Sequence, residues 1–146
     1  MTRARASRRQ RGVSLIDALI AIAILSFGLI GMSRMQGRMV SSATDSQLRT
    51  AATALADELL NTVLVDNANA ACYTLPQAGV CGSAAATART TAWAAKVLAT
   101  LPGTVTRAVA LDAATGRMTV SVGWTSREQY NGAPDPRQIQ VVTDVR

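Results

Sequence analysis

The feature that most constrains this chain is the run from Val13 to Ser33, VSLIDALIAIAILSFGLIGMS, 21 residues with a single charge, Asp17. As an α-helix rising ~1.5 Å per residue, such a run is about 30 Å long, the thickness of one bilayer core. The segment therefore predicts a single membrane anchor. A carboxylate five residues into an apolar helix is costly in hydrocarbon, so Asp17 calls for a partner or a function.

The residues in front of the anchor explain the charge balance. The net charge is +6, but five of the fifteen basic residues, Arg3, Arg5, Arg8, Arg9 and Arg11, fall in the first twelve positions, where there is no acid. The remaining ten basic residues face nine acids, so the body is nearly neutral. It has no basic stripe with interleaved aromatics, and no nucleic-acid partner is expected. A short basic leader beside a spanning segment predicts a cytoplasmic N-terminus. Ser7-Arg8-Arg9 raises a twin-arginine signal, but Gln10-Arg11-Gly12 lacks the apolar residue expected next. A cleaved secretory signal could end near Gly31-Met32-Ser33, yet the apolar run is longer than a usual signal core.

Past the anchor no proline occurs before Pro76, and the helical pattern continues to about residue 65. Leu48, Ala51, Ala52, Leu55, Leu59 and Val63 recur at spacings of three and four and form one apolar stripe. Residues 66–88 turn to Asn, Gly, Pro and Ala and predict a surface loop. This loop holds both cysteines, and Pro76 and Gly79 between them favour a turn that brings Cys72 and Cys81 together. In an oxidising compartment they would form a disulfide worth about 2 to 3 kcal/mol; two free thiols are the alternative. With no histidine and two cysteines, no metal site is expected.

Thr90 or Thr91 offers a cap for a short helix over 90–101, with Trp93, Val97, Leu98 and Leu101 on one face and Pro102-Gly103 as its stop. The period then changes to two over 104–145. Val105, Arg107, Val109 and Leu111 alternate with smaller residues, a turn follows at 112–116, and Met118, Val120, Val122 and Trp124 alternate again. A third strand is expected from Ile139 to Val145, after a loop with Pro134 and Pro136. The expected fold class is α+β: a long N-terminal α-helix packed on a small three-stranded antiparallel sheet with one short extra helix.

Gly12-Val13-Ser14-Leu15-Ile16-Asp17, opening an apolar helix behind a basic leader, resembles the processing motif of type IV pilins and type II secretion pseudopilins. The resemblance implies removal of residues 1–12 by a prepilin peptidase, a cut between Gly12 and Val13, and N-methylation of Val13. It assigns 13–33 to the transmembrane and assembly half of the helix and 34–146 to a pilin-like periplasmic domain. The family usually has phenylalanine after the cut and glutamate at the fifth position, where this chain has Val13 and Asp17. The order of the later features, Ala56-Asp57-Glu58-Leu59, a cysteine-bearing loop, Trp93-Ala94-Ala95-Lys96-Val97-Leu98 and Val120-Ser121-Val122-Gly123-Trp124, is similar to the PilV group of minor pilins.

The implied function is structural. Asp17 would meet the amine freed on a neighbouring subunit, and the partners would be the prepilin peptidase, other minor and major pilins, and the inner membrane. An alternative for Asp17 is to accept amide hydrogens of its own helix, at the Ser-x-x-Asp capping distance from Ser14. No carboxylate pair and no nucleophile with a base can be nominated, so no enzyme activity and no cofactor are expected. Two other functions fit the same pattern: a type II secretion pseudopilin, and an uncleaved single-pass envelope protein that binds a periplasmic partner.

Overall fold

The structure is a computed structural model that describes residues 13–130 and 133–145. Its elements run α1 (Val13–Val65), a 3-10 segment (Asn67–Tyr73), α2 (Ala84–Thr100), β1 (Thr106–Asp112), β2 (Arg117–Tyr130) and β3 (Ala133–Asp144). Contacts divide the chain into two units, one ending at Ser41 and one running from Ser42 to Arg146.

In the first unit the described residues are helix only. Fourteen large apolar side chains between Leu15 and Val40 are each more than half exposed, from Leu15 at 69% to Phe27 at 77% and Val40 at 67%. Burying fourteen such groups is worth of the order of 20 kcal/mol or more at ~1.5 kcal/mol each, so this surface is built for an apolar environment. Two of its serines suit that environment. Ser26 Oγ donates to the Ile22 carbonyl (2.7 Å) and Ser33 Oγ to the Leu29 carbonyl (3.0 Å), so neither hydroxyl needs water.

The second unit is an α+β domain with one core. Residues of α1 from Ala52 to Val63 supply Ala52, Leu55, Ala56, Leu59, Leu60 and Val63, all at most 5% exposed, to a cluster shared with Trp93, Val97, Met118, Val120, Val122 and Trp124. The stripe is as expected but wider: Ala56 and Leu60 join it, and Leu48 and Ala51 are only half-buried. The sheet is antiparallel in the order β1-β2-β3. Its register sets Val109 opposite Val120 and Val120 opposite Val141, so the period-two pattern puts these side chains on the face that meets the core. Gly123 pairs with Thr106, and a Cβ added there would fall on the Thr106 hydroxyl.

Several boundaries differ from the sequence reading. The stretch expected as a loop over 66–88 is structured at both ends. It contains the 3-10 segment, with Ala70, Cys72 and Tyr73 buried, and the first turn of α2. The helix expected over 90–101 begins at Ala84, because Ser83 Oγ accepts from the Ala86 amide (3.2 Å) and the following alanines propagate the helix readily. Thr90 is therefore not a cap but a buried interior residue, donating to the Ala86 carbonyl (3.0 Å). Leu98, expected on the apolar face, is 47% exposed; Ala86, Thr90, Trp93, Ala94 and Val97 make that face instead. The helix stops at Leu101, whose amide still reaches the Val97 carbonyl (3.1 Å), and Gly103 follows at φ +72° against Thr125.

The third strand begins at Ala133 rather than Ile139 and runs through Pro134 and Pro136. Prolines are admissible there because β3 lies at the sheet edge, and the register shifts between Thr125 and Gln129 on β2.

Candidate functional site

Of the residues singled out by the processing motif, Gly12 lies outside the described residues and Val13 is the first residue of α1. Asp17 is described. It sits in the second turn of the helix, is exposed, and forms no ion pair among the described residues. Around it Leu15, Ile16, Leu19 and Ile20 are 53–69% exposed, so the carboxylate stands within a continuous apolar surface. In water such an aspartate is unremarkable; in hydrocarbon it requires a cation or donors from outside the chain. The helix is long and apolar enough to cross a membrane once.

Cys72 and Cys81 are joined in a disulfide, with Cα atoms 5.0 Å apart. Cys72 is 5% exposed and belongs to the core, while Cys81 accepts from the Ser83 amide (3.3 Å) and the Thr87 hydroxyl (3.2 Å) near the start of α2. The bond thus fastens the end of the 3-10 segment to the cap of α2. Between the cysteines the loop folds back on the sheet: the Leu75 N–H donates to the Val109 carbonyl (2.9 Å), and the Leu75 carbonyl accepts from the Val109 amide (2.8 Å). This two-bond bridge lies on the outer edge of β1.

A polar cluster that the sequence did not reveal closes the other side of the loop. The Asp66 carboxylate accepts from Asn69 Nδ2 (2.7 Å), the Tyr73 hydroxyl (2.8 Å) and an Arg89 nitrogen (3.2 Å), and Arg89 also donates to the Tyr73 oxygen (3.2 Å). The bonds from Asn69 and Tyr73 hold the Asp66 carboxyl below its usual range. Burial pushes the Tyr73 hydroxyl up, and the bond to Tyr73 raises the Arg89 guanidinium further. Asp66 follows the last residue of α1 and Arg89 lies in α2, 23 residues later, so no local spacing announces the contact.

Two further ties join the same helices. Trp93 Nε1 donates to the Leu55 carbonyl (2.7 Å) within the core, and Lys96 pairs with Glu58 (2.6 Å) at the surface. The first satisfies a buried donor; the second is exposed and worth little. A shallow groove beside them is lined by Glu58, Thr62, Arg89, Trp93 and Lys96. Its charged groups are already paired with one another or with Asp66, which leaves no converging set of free catalytic groups. No group of three or more metal-ligating side chains occurs among the described residues.

Comparison with protein-family profiles, curated proteins and solved structures returns no match to this chain.

Proposed function

We propose that the chain is a structural minor pilin: a single-pass inner-membrane protein with its N-terminus in the cytoplasm and its C-terminal domain in the periplasm. It is cut after Gly12, methylated on Val13 and co-assembled with other pilins into a type IV pilus, in a tip or priming complex. The observation that carries this reading is the joining of an exposed apolar stretch of α1, residues 15–40, bearing one carboxylate at Asp17, to a disulfide-bonded α+β domain. Cutting before Val13 creates an amine at the start of that helix. Its own helix dipole disfavours a positive charge there, and lipid disfavours it more. The Asp17 carboxylate of a neighbouring subunit neutralises it, and the pair relieves two desolvation costs at once. A free carboxylate and a free amine on separate subunits then set the register of assembly.

Mass spectrometry of the protein extracted from membranes tests the reading. A chain beginning at N-methyl-Val13 is expected; an intact Met1, or a start near Ser33, overturns it. Asp17→Ala is expected to leave the cut in place and to reduce pilus number, and an undiminished pilus count removes the carboxylate from assembly. Membership of a type II secretion filament is the neighbouring outcome, read from which assembly retains the processed chain.

A further inference from the structure

Two arginines stand at the C-terminal end of the apolar run. Arg34 and Arg38 follow Ser33 within α1, four residues apart, so they share one helix face with Cβ atoms about 5–6 Å apart. Both are exposed, and neither enters an ion pair among the described residues. No acid lies between Ile30 and Ser42, the reach of pairing along a helix on either side of them. The next acid along the chain, Asp45, is taken by Arg49 (3.2 Å) and Arg137 (3.9 Å). Arg89 and Lys96, by contrast, each meet an acid, Asp66 and Glu58. The helix also stays apolar beside the pair. Met35, Met39 and Val40 are 58–67% exposed, and Met32, Met35 and Met39 recur at spacings of three and four, about 100° round the axis from the arginines. Residues 34–40 thus carry an apolar face and a cationic face side by side.

We propose that Arg34 and Arg38 form one binding site for the phosphate of an anionic phospholipid, in the leaflet at the C-terminal end of the span. The proposal rests on the single-span reading and not on the cut at Gly12. At ~1.5 Å per residue, Arg34 and Arg38 lie about 32 and 38 Å along the axis from Val13. A hydrocarbon core is about 30 Å thick, and the headgroup layer adds about 5–7 Å on each side. Side chains on a helix lean toward its N-terminus, which carries both guanidinium groups back into that layer. Each guanidinium presents parallel N–H donors to phosphate oxygens. A zwitterionic lipid brings an ammonium that compensates its own phosphate, so a lipid of net negative charge suits two arginines with no acid beside them. Its acyl chains then lie along Met32, Met35 and Met39. An acidic peptide matches the charges but offers nothing to these methionines. Held in this way, the pair fixes the depth of the helix at its C-terminal end.

The test follows the side-chain Nε–Hε NMR signals of Arg34 and Arg38 in the full-length chain, held in phosphatidylcholine bicelles while phosphatidylglycerol replaces part of the lipid. Arg34→Gln and Arg38→Gln assign the signals. Both signals are expected to shift along a saturating curve, while the Arg49 signal, whose Nε already donates to Asp45 (3.2 Å), moves far less. A linear response, or one that Arg49 matches, reports only the bulk field of an anionic surface and overturns the proposal. Inorganic phosphate at the same concentration is expected to leave both signals in place, and an equal shift with it overturns the lipid as the source. Because the two arginines share one phosphate, Arg38→Gln is expected to weaken the midpoint read at Arg34 at least fivefold; an unchanged midpoint overturns the shared site. Arg8→Gln/Arg9→Gln, in the leader, is expected to hold that midpoint within about twofold, and a larger loss moves the lipid to the leader and overturns the site. Co-flotation with phosphatidylcholine vesicles separates the two levels of the argument. A chain that fails to float overturns the span and the lipid site together, whereas one that floats without the saturating shift overturns the lipid site alone. An intact Met1 beside that shift leaves the lipid site standing and removes the pilin reading.

Discussion

Opening the Cys72–Cys81 bond offers a perturbation whose size follows from the structure. The cysteines are nine residues apart, and closing a loop of that length removes about 2.5 kcal/mol of conformational entropy from the unfolded chain. Cys72 is 5% exposed within the core, so alanine is the suitable replacement; a serine would bury an extra hydroxyl there. The lost sulfur contacts of Cys72→Ala/Cys81→Ala add to the entropic part, for a total near 3 kcal/mol. In a domain of roughly 100 residues, 1 kcal/mol moves Tm by about 4–8 °C, so a fall of about 12–24 °C is expected. Trp93 and Trp124, both at most 5% exposed, report the transition by fluorescence as denaturant is added to the full chain in detergent. Reduction of the wild-type protein should reproduce most of the shift. The effect should also be global, because a cross-link acts on the unfolded ensemble. A midpoint shift equivalent to less than about 1 kcal/mol, with faster exchange confined to the Leu75 and Val109 amides, would refute it and reduce the disulfide to a local tether.

Two further outcomes are expected. Gly123→Ala should destabilise the domain by about 1 kcal/mol, because the new methyl falls on the stiff Thr106 side chain and also approaches the Arg137 carbonyl (3.3 Å); adding Thr106→Ala should recover more than half of the loss, and denaturation of the two single variants and the double variant checks the coupling. The Asp66–Tyr73 contact should make stability depend on pH at both ends. The Asp66 carboxyl is lowered by Asn69 and Tyr73, so its contribution is present above the ordinary carboxylate range and disappears as pH falls through the lowered value. Tyr73 is raised by burial, so its contribution is present below about pH 10, the unfolded value, and is lost as pH rises through the folded one. Tyr73→Phe should remove the alkaline loss and bring the Asp66 titration, followed by NMR, closer to the ordinary value; an unmoved Asp66 would exclude the Tyr73 bond as a cause.

What the sequence disclosed and what it concealed follow from the range of the interactions concerned. The stripe on α1 was legible because helix period and burial coincide: Leu55, Leu59 and Val63 repeat on one face, and all three are at most 5% exposed. The strands were legible for the same reason at period two, down to the shared face of Met118, Val120, Val122 and Trp124. The start of α2 was misplaced because Thr90 and Thr91 looked like caps, while the residue that caps, Ser83, stood inside a segment whose glycines and alanines signalled a loop. The ends of β3 were misread because two prolines usually argue against a strand, an argument that fails on the outward positions of an edge. The Asp66–Tyr73–Arg89 cluster and the Leu75–Val109 bridge join residues 23 and 34 positions apart, and no local pattern encodes such pairs. The apolar helix is a different case. Its sequence is as clear as any in the chain, yet nothing among the described residues buries it, which is why its role is proposed to lie with a membrane and partners outside the fold. In this chain the residues that stabilise the domain are read from within it. The residue proposed to act, Asp17, lies instead on the exposed apolar stretch of the helix and forms no ion pair among the described residues.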